Sequence, residues 1–271
     1  MHLKRWLTSI VAVPVLSALI LYGPMASFVA LIAVVCAIAA YEYFFIIFAG
    51  DKSRIFSPVP IWCALSGLLI LVAAGWMRVD LLFLLVCASF AGMAVLSMHR
   101  FSASQGREIL DLVAKGIQFT VYIPLPLATT VLLRGAPDGV AWIFFLVFIV
   151  FLGDVGAFYA GTYLGRHKLH PAISPGKTVE GAVGGLAANV VVALAFKAVF
   201  LPDLPNLLVL LFAPLAGVVG QLGDLFESEL KRTSQIKDSG SILPGHGGIL
   251  DRIDALIFAA PLAYFFRMYI F

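Results

Sequence analysis

The sequence predicts an all-α, polytopic integral membrane protein, and three observations carry that prediction. Hydrophobic side chains make up 62% of the 271 residues and charged ones 12%, with a mean hydropathy of +1.03. A soluble domain carries about 25% charged residues. The apolar residues fall into runs long enough to cross a hydrocarbon core, for which a helix needs about 20 residues. Gly and Pro mark the joins between runs, and alternate joins collect the Lys and Arg residues.

Nine runs are expected to span, at about 6–22, 26–48, 59–76, 80–98, 117–133, 140–163, 178–200, 206–227 and 249–270. The first follows Lys4 and Arg5 and lacks a small-residue cleavage context at Pro24–Ser27, so it reads as a retained signal anchor. Between Arg100 and Lys115, Ile109, Leu112 and Val113 recur at helical spacing among Arg107, Glu108, Asp111 and Lys115. That pattern suits a short amphipathic helix on the membrane interface, with an ordinary loop as the alternative. Cys36, Cys63 and Cys87 lie inside apolar runs without metal or disulfide spacing, and read as small buried hydrophobes.

Nine spans place the basic residues unevenly. Lys4, Arg5, Lys52, Arg54, Arg100, Arg107, Lys115, Arg166, Lys168, Lys177, Lys231, Arg232, Lys237 and Arg252 fall on one side, leaving Arg78, Arg134, Lys197 and Arg267 of the 18. The positive-inside rule then makes the N-terminus cytoplasmic and the C-terminus external. The net charge of +3 does not argue for a nucleic-acid partner, because no basic face has room to form outside the bilayer. The whole chain reads as one membrane domain, with helices of 1–135 as scaffold or homodimer contacts and 140–271 as the catalytic helices.

Residues 152–185 carry the first of two motifs. Gly153, Ala157, Gly161 and Gly165 repeat every four residues, and Gly181 and Gly185 repeat the device in the next run. Small residues on one helix row permit close packing in lipid. Asp154 lies beside that row and is expected to face the bundle interior. Ser174-Pro175-Gly176-Lys177-Thr178 reads as a helix start, with Ser174 as N-cap and Pro175 at the first helical position. Free N–H groups, the positive dipole end and Lys177 would then form an anion site. It is not a P-loop, because the required upstream Gly is Pro171 here. His167 and His170 flank the segment as structural polar residues.

The second motif, from Ser228 to Asp254, is a polar island in an apolar chain. On the preceding helix, Gly220, Asp224 and Ser228 share a face, with Glu227 three residues after Asp224. Asp251 and Asp254 open the last helix, where the dipole favours negative charge. Carboxylates at the ends of two consecutive helices, without a matching Cys or His set, suit a hard divalent cation, most simply Mg²⁺ with phosphates as co-ligands. Asp224 and Asp251 are the expected ligands, Glu227 and Asp254 further candidates, and a second cation is compatible. The alternative is a structural network of these acids with Arg232 and Arg252.

The pattern Ser-x-Leu-Lys-Arg, four residues, Lys-Asp-x-Gly, two residues, Leu-Pro-x-His-Gly-Gly-Ile-x-Asp-Arg-Ile-Asp resembles the signature of the phosphatidate cytidylyltransferases. The Ser-Pro-x-Lys-Thr-x-Glu-Gly segment at 174–181 resembles the same family, departing at Gly176, where many members carry lysine. The resemblance implies that phosphatidate attacks the α-phosphorus of CTP, releasing pyrophosphate and giving CDP-diacylglycerol within a membrane of lipids. It implies roles for Lys231, Arg232, Lys237 and Arg252 as phosphate clamps and for Asp238 within the catalytic signature. His246 is expected to position substrate rather than to move a proton. Gly247 and Gly248 would let backbone approach phosphate, while Asp154, Ser174, Lys177, Thr178 and Ser228 would line the substrate site. Two rivals stand beside this reading. One is a CTP-dependent polyprenol or phytol kinase, and the other is an ion-coupled transporter using Glu42 and Asp154.

Overall fold

The computed structural model describes residues 2–99, 106–236, 240 and 247–271. Lys237, Asp238 and His246 of the expected site, and Arg100, lie outside the described residues. Among the described residues the chain forms eleven helices and one β-hairpin, so the all-α expectation holds apart from that hairpin. Seven segments are long and apolar enough to cross a membrane: Met25–Ile47, Pro58–Gly75, Val79–His99, Arg107–Gly135, Gly139–Leu164, Val179–Phe200 and Asn206–Thr233. The first expected span contributes a shorter apolar stretch, Val13–Tyr22. The last is helical over Leu250–Tyr269 but carries Asp251, Arg252, Asp254 and Arg267. Backbone N–H and C=O groups in hydrocarbon must be satisfied within the segment, which is why apolar runs of this length become helices.

The chain divides into two compact units. One comprises Met1–Gly135 with Thr233–Arg252, the other Ala136–Arg232 with Ile253–Phe271.

The first unit contains α1 (His2–Tyr22), α2 (Met25–Ile47), α3 (Lys52–Ile55), α4 (Pro58–Gly75), α5 (Val79–His99), α6 (Gly106–Tyr122) and α7 (Pro124–Gly135). Its core is aromatic: the Phe44 and Phe119 rings lie 5.2 Å apart and Tyr43 lies 5.6 Å from Phe119, all three essentially inaccessible. The Tyr43 hydroxyl donates to Gln118 Oε1 at 2.6 Å, so the polar end of a buried ring is satisfied. Ser66, Ser89 and Thr120 link α4, α5 and α6 through hydroxyl contacts of 2.8 and 3.5 Å. Arg134, in the last turn of α7, donates to Ile20 O at 3.0 Å and so holds the carbonyl end of α1. Cys36 and Cys63 are buried as expected, but Cys87 lies on an exposed face of α5.

The separate amphipathic helix expected before Lys115 is not what forms. From Gly106 the helix runs unbroken into the fifth span, because nothing between Lys115 and Tyr122 interrupts it. The break comes at Ile123, where Pro124 has no N–H to continue the ladder and instead starts α7. The amphipathic character survives: Arg107, Glu108 and Asp111 are exposed while Ile109, Leu112 and Val113 are half-buried.

The second unit contains α8 (Gly139–Leu164), β1 (Lys168–His170), β2 (Ser174–Thr178), α9 (Val179–Phe200), α10 (Asn206–Thr233) and, from Ile253, most of α11 (Leu250–Tyr269). Trp142, Phe145, Phe212 and Phe266 form its core, with Phe212 and Phe266 4.9 Å apart. The predicted small-residue row works as a seam between α8 and α9. A Cβ added at Gly181 would stand 2.9 Å from Ala157 O and 3.1 Å from Gly161 Cα, and one at Gly185 would stand 3.1 Å from Gly153 O. A parallel row opposes Gly156 to Ala188 and Gly184 to Ala160. Asn189 closes the seam beside Gly153; with its amide turned, it donates to Ile149 O at 2.8 Å and Gly185 O at 3.2 Å.

Candidate active site

The segment expected as a helix start is a strand. Ser174–Thr178 pairs antiparallel with Lys168–His170, His170 opposite Ser174 and Lys168 opposite Thr178. Ser174 is therefore not an N-cap and Pro175 is not the first helical residue. Thr178 takes the capping role instead: its extended backbone precedes α9, and its Oγ1 accepts from Gly181 N at 3.1 Å. Glu180 reaches back to accept from Arg166 N at 3.0 Å and His167 N at 3.2 Å. His167 Nδ1 lies 2.6 Å from Glu180 Oε1, and His170 Nδ1 accepts from Ile173 N at 3.3 Å, so both histidines serve the hairpin. At Gly176 an added Cβ would meet nothing within 4 Å, so a lysine there would fit.

The strand aims Lys177 at α10. Its Nζ lies 2.5 Å from Asp224 Oδ2, with both side chains about a third exposed. The first motif therefore meets, in one ion pair within the second unit, the α10 carboxylate that precedes the second motif. Asp154 is close enough to Asp224 and Lys177 to interact electrostatically, and Asp254 is likewise in range of Asp224, Asp154 and Lys231. Asp154 keeps accessible surface but is turned toward the charges of α10 and α11, while Gly153 beside it is the residue turned into the α9 seam. Asp254 is buried, with Oδ1 accepting from Ala255 N at 2.8 Å. It lies one residue past the first turn of α11 rather than within it.

Further along α10, Glu227 is almost wholly buried and pairs with Lys231 at 2.8 Å, one helical turn on. Arg232 Nε donates to Ile173 O at 3.2 Å, and Gln221 Nε2 donates to Ala182 O at 3.1 Å. These bonds tie α10 to the hairpin and to α9. Arg232 thus binds a backbone carbonyl, and Asp224 and Glu227 each pair with a lysine. Ser228 is half-buried on the same helix. Gly223 lets α11 approach closely: an added Cβ would stand 2.5 Å from Asp254 O.

In the first unit, Gly247 adopts φ +81°, a left-handed conformation that favours glycine. Asp251 Oδ2 accepts from Gly248 N at 2.9 Å, closing the turn ahead of α11. Arg252 N donates to Ile249 O at 2.9 Å in that first turn. The residue that sequence reasoning did not assign to the site is Glu42 of α2. It is fully buried, and its two carboxylate oxygens accept from Ile249 N at 3.0 Å and Leu250 N at 2.8 Å. The available signal was a lone carboxylate inside an apolar run, which must find partners in lipid. Its partners lie more than two hundred residues away and carry no sequence mark.

Comparison with known proteins adds the remaining observation. Residues 3–270 match the model of the cytidylyltransferase family. The chain belongs to the cytidylyltransferase family. A phosphatidate cytidylyltransferase of Bacillus subtilis is 48% identical over 127 residues, which is 47% of each chain. That of Staphylococcus aureus strain COL is 40% identical over 215 residues, 76% of this chain and 78% of the relative. That of Staphylococcus saprophyticus is 38% identical over 214 residues, again 76% and 78%. The alignment to the Bacillus relative thus spans about half of that protein, whereas the family model spans nearly this whole chain. For this member of the cytidylyltransferase family, the Ser-Pro-Gly-Lys-Thr strand and the α10 carboxylates are the groups brought together.

Proposed function

We propose that the protein transfers the cytidylyl group of CTP to phosphatidate, giving CDP-diacylglycerol and pyrophosphate for phospholipid synthesis. A phosphate oxygen of phosphatidate attacks the α-phosphorus of CTP; the new O–P bond forms as the α–β phosphoanhydride breaks, and pyrophosphate leaves. The observation that carries the reading is the contact between Lys177 of the first motif and Asp224 of α10, in a chain of this family.

Every participant in this reaction is anionic, so the chain must offset repulsion and stabilise charge on the transferring group. Lys177 and Lys231 supply positive charge beside Asp224 and Glu227, and a nucleotide phosphate would exchange with a carboxylate as the lysine's partner. Arg232 and Arg252 are proposed to hold phosphate oxygens of lipid and nucleotide. Thr178 and Glu180 fix the end of β2 against α9, so Lys177 is delivered from a braced strand.

Asp154, Asp224 and Asp254 feel one another's charge, and carboxylate oxygens are the donors that a hard cation such as Mg²⁺ prefers. Among the described residues no group of three His, Cys, Asp or Glu side chains is placed to hold a metal ion. Asp224 stays a proposed ligand, as does Asp251 at the start of α11, with Glu227 and Asp254 as further candidates, and the ion would supply Lewis-acid charge neutralisation at the phosphates. The reaction is proposed to run at the cytoplasmic face of the cell's inner membrane, supported by the uneven distribution of Lys and Arg along the chain. Phosphatidate would then enter sideways from that leaflet.

The test is purified protein in detergent with phosphatidate, Mg²⁺ and CTP labelled in either the α- or the γ-phosphate. Label in lipid from α-labelled CTP alone is expected. Lipid labelled only from γ-labelled CTP would assign a kinase instead, and no labelled lipid from either would sink the reading.

A further inference from the structure

Glu42 stands apart from both motifs, yet it holds the start of the helix that carries Asp251, Arg252 and Asp254. A carboxylate inside an apolar helix is costly to bury unless its acceptor capacity is used. Here each oxygen takes one N–H from consecutive residues at the α11 start, Ile249 at 3.0 Å and Leu250 at 2.8 Å. The first N–H groups of any helix lack intrahelical partners, so α2 supplies this cap from a distant part of the chain. Gly240 completes the arrangement. A Cβ added there would stand 2.5 Å from Glu42 Oε1 and 3.1 Å from its Cδ, so only glycine lets the backbone pass the carboxylate. One buried side chain therefore lies against Gly240 and bonds Ile249 and Leu250. Immediately downstream, the Asp251–Gly248 bond of 2.9 Å and the left-handed Gly247 depend on where that helix begins.

We infer that Glu42 is a positioning residue for the cytidylyl transfer, fixing the first turn of α11 and hence the placement of Asp251 and Arg252. The inference rests on the proposed function for its kinetic readout. A clasp of this kind sets the geometry in which Asp251 and Arg252 meet the transferring phosphoryl, so its loss lowers kcat more than it raises the KM for either substrate. A displacement of about 1 Å in a reacting constellation costs on the order of a hundredfold.

Three variants and two measurements test it. In Glu42→Gln, one of the two acceptor oxygens becomes an NH₂ donor facing an N–H, so one bond is lost at nearly constant shape. The expected result is a 10- to 100-fold fall in kcat with both KM values within about threefold, on the scale of lost supporting bonds around a site. Gly240→Ala leaves Glu42 in place but crowds it, and should lower kcat in the same way. Glu42→Asp withdraws the carboxylate by one methylene from both N–H groups and should lower kcat at least as far as Glu42→Gln. Amide hydrogen exchange supplies the second measurement: peptides covering 247–254 should exchange faster in Glu42→Gln while those from α8 and α9 do not. Wild-type turnover by folded Glu42→Gln, with unchanged exchange at 247–254, would overturn the inference. If Glu42→Gln fails to fold, Gly240→Ala decides. If both lose exchange protection throughout the protein, Glu42 is a general folding residue and the positioning role is wrong. If the wild-type protein makes no CDP-lipid, the proposed function fails, and the exchange experiment still tests the clasp.

Discussion

Replacing Lys177 by alanine separates stability from catalysis, because the two effects differ in size. The Lys177–Asp224 pair is close, at 2.5 Å, but its side chains are 28% and 36% exposed. Pairs of that exposure contribute about 0–1 kcal/mol to folding, so Lys177→Ala should remain folded and membrane-inserted. Its effect on the reaction should be larger. A charge-assisted bond from lysine to a nucleotide phosphate is worth about 1.5–3 kcal/mol, which is roughly 10- to 150-fold in a rate or binding constant. Removing the cation also leaves Asp224 facing Asp154 and Asp254 without Lys177 to offset them, which repels an incoming polyphosphate. The assay is incorporation of α-labelled CTP into lipid at saturating phosphatidate, with kcat and the KM for CTP measured separately. We expect kcat/KM for CTP to fall within that range while the KM for phosphatidate moves less than threefold. Lys177→Arg keeps the charge on a longer, planar group and should recover part of the loss. An unchanged KM for CTP with a raised KM for phosphatidate would assign the strand to the lipid. Unchanged kinetics in folded protein would refute the role of Lys177 altogether.

Other substitutions probe the rest of the site and its frame. Asp224→Asn keeps the side-chain shape but removes its charge, and should reduce turnover on the order of a thousandfold through lost charge stabilisation; partial recovery at raised Mg²⁺ would support a cation there, and near-normal turnover would exclude it. Gly181→Val forces a side chain into the 2.9 Å gap to Ala157 O, and overpacking of this kind costs about 1–3 kcal/mol. It should lower the midpoint of detergent-induced unfolding, whereas Gly176→Ala, with open space around it, should not. In a cysteine-free background, Asp203→Cys should label with an impermeant reagent in intact cells and Lys168→Cys only after permeabilisation; the reverse pattern would invert the proposed orientation.

The membrane class and helix positions were legible in the sequence because lipid leaves little choice. A run of apolar residues must satisfy its own backbone there, and the four-residue repeat of Gly153, Ala157 and Gly161 marked the α8–α9 seam before any coordinates. The hairpin was not legible. Ser174 and Thr178 are both competent caps, and only the pairing of Lys168–His170 with Ser174–Thr178 decides that the chain stays extended until the second. Local propensity has no access to that register. For the site, Lys177 and Asp224 were both singled out, yet nothing in their spacing of 47 positions said that they would touch. Glu42 shows the same gap more sharply, since its partners are backbone N–H groups, which any residue but proline at 249 and 250 would offer.

The seam between α8 and α9 also constrains how the gene for such a protein can change in length. Successive residues of an α-helix are turned about 100° from one another. Deleting a single residue between Gly153 and Gly161 would swing one of the bulky neighbours Phe158 or Tyr159 toward the backbone of α9, where even a methyl group at Gly181 meets atoms at 2.9 Å. An insertion would shift the phase in the other direction with the same outcome. Only changes of a whole number of turns keep the small residues inward, and seven residues in two turns is the shortest nearly phase-preserving step beyond the rougher three or four. Length variation among natural or laboratory variants should therefore collect after Leu164, in the connection to β1, and after Phe200, where the backbone leaves α9. Within the paired stretch the rotational phase of the helix is a constraint of its own, independently of which small residue occupies any one position.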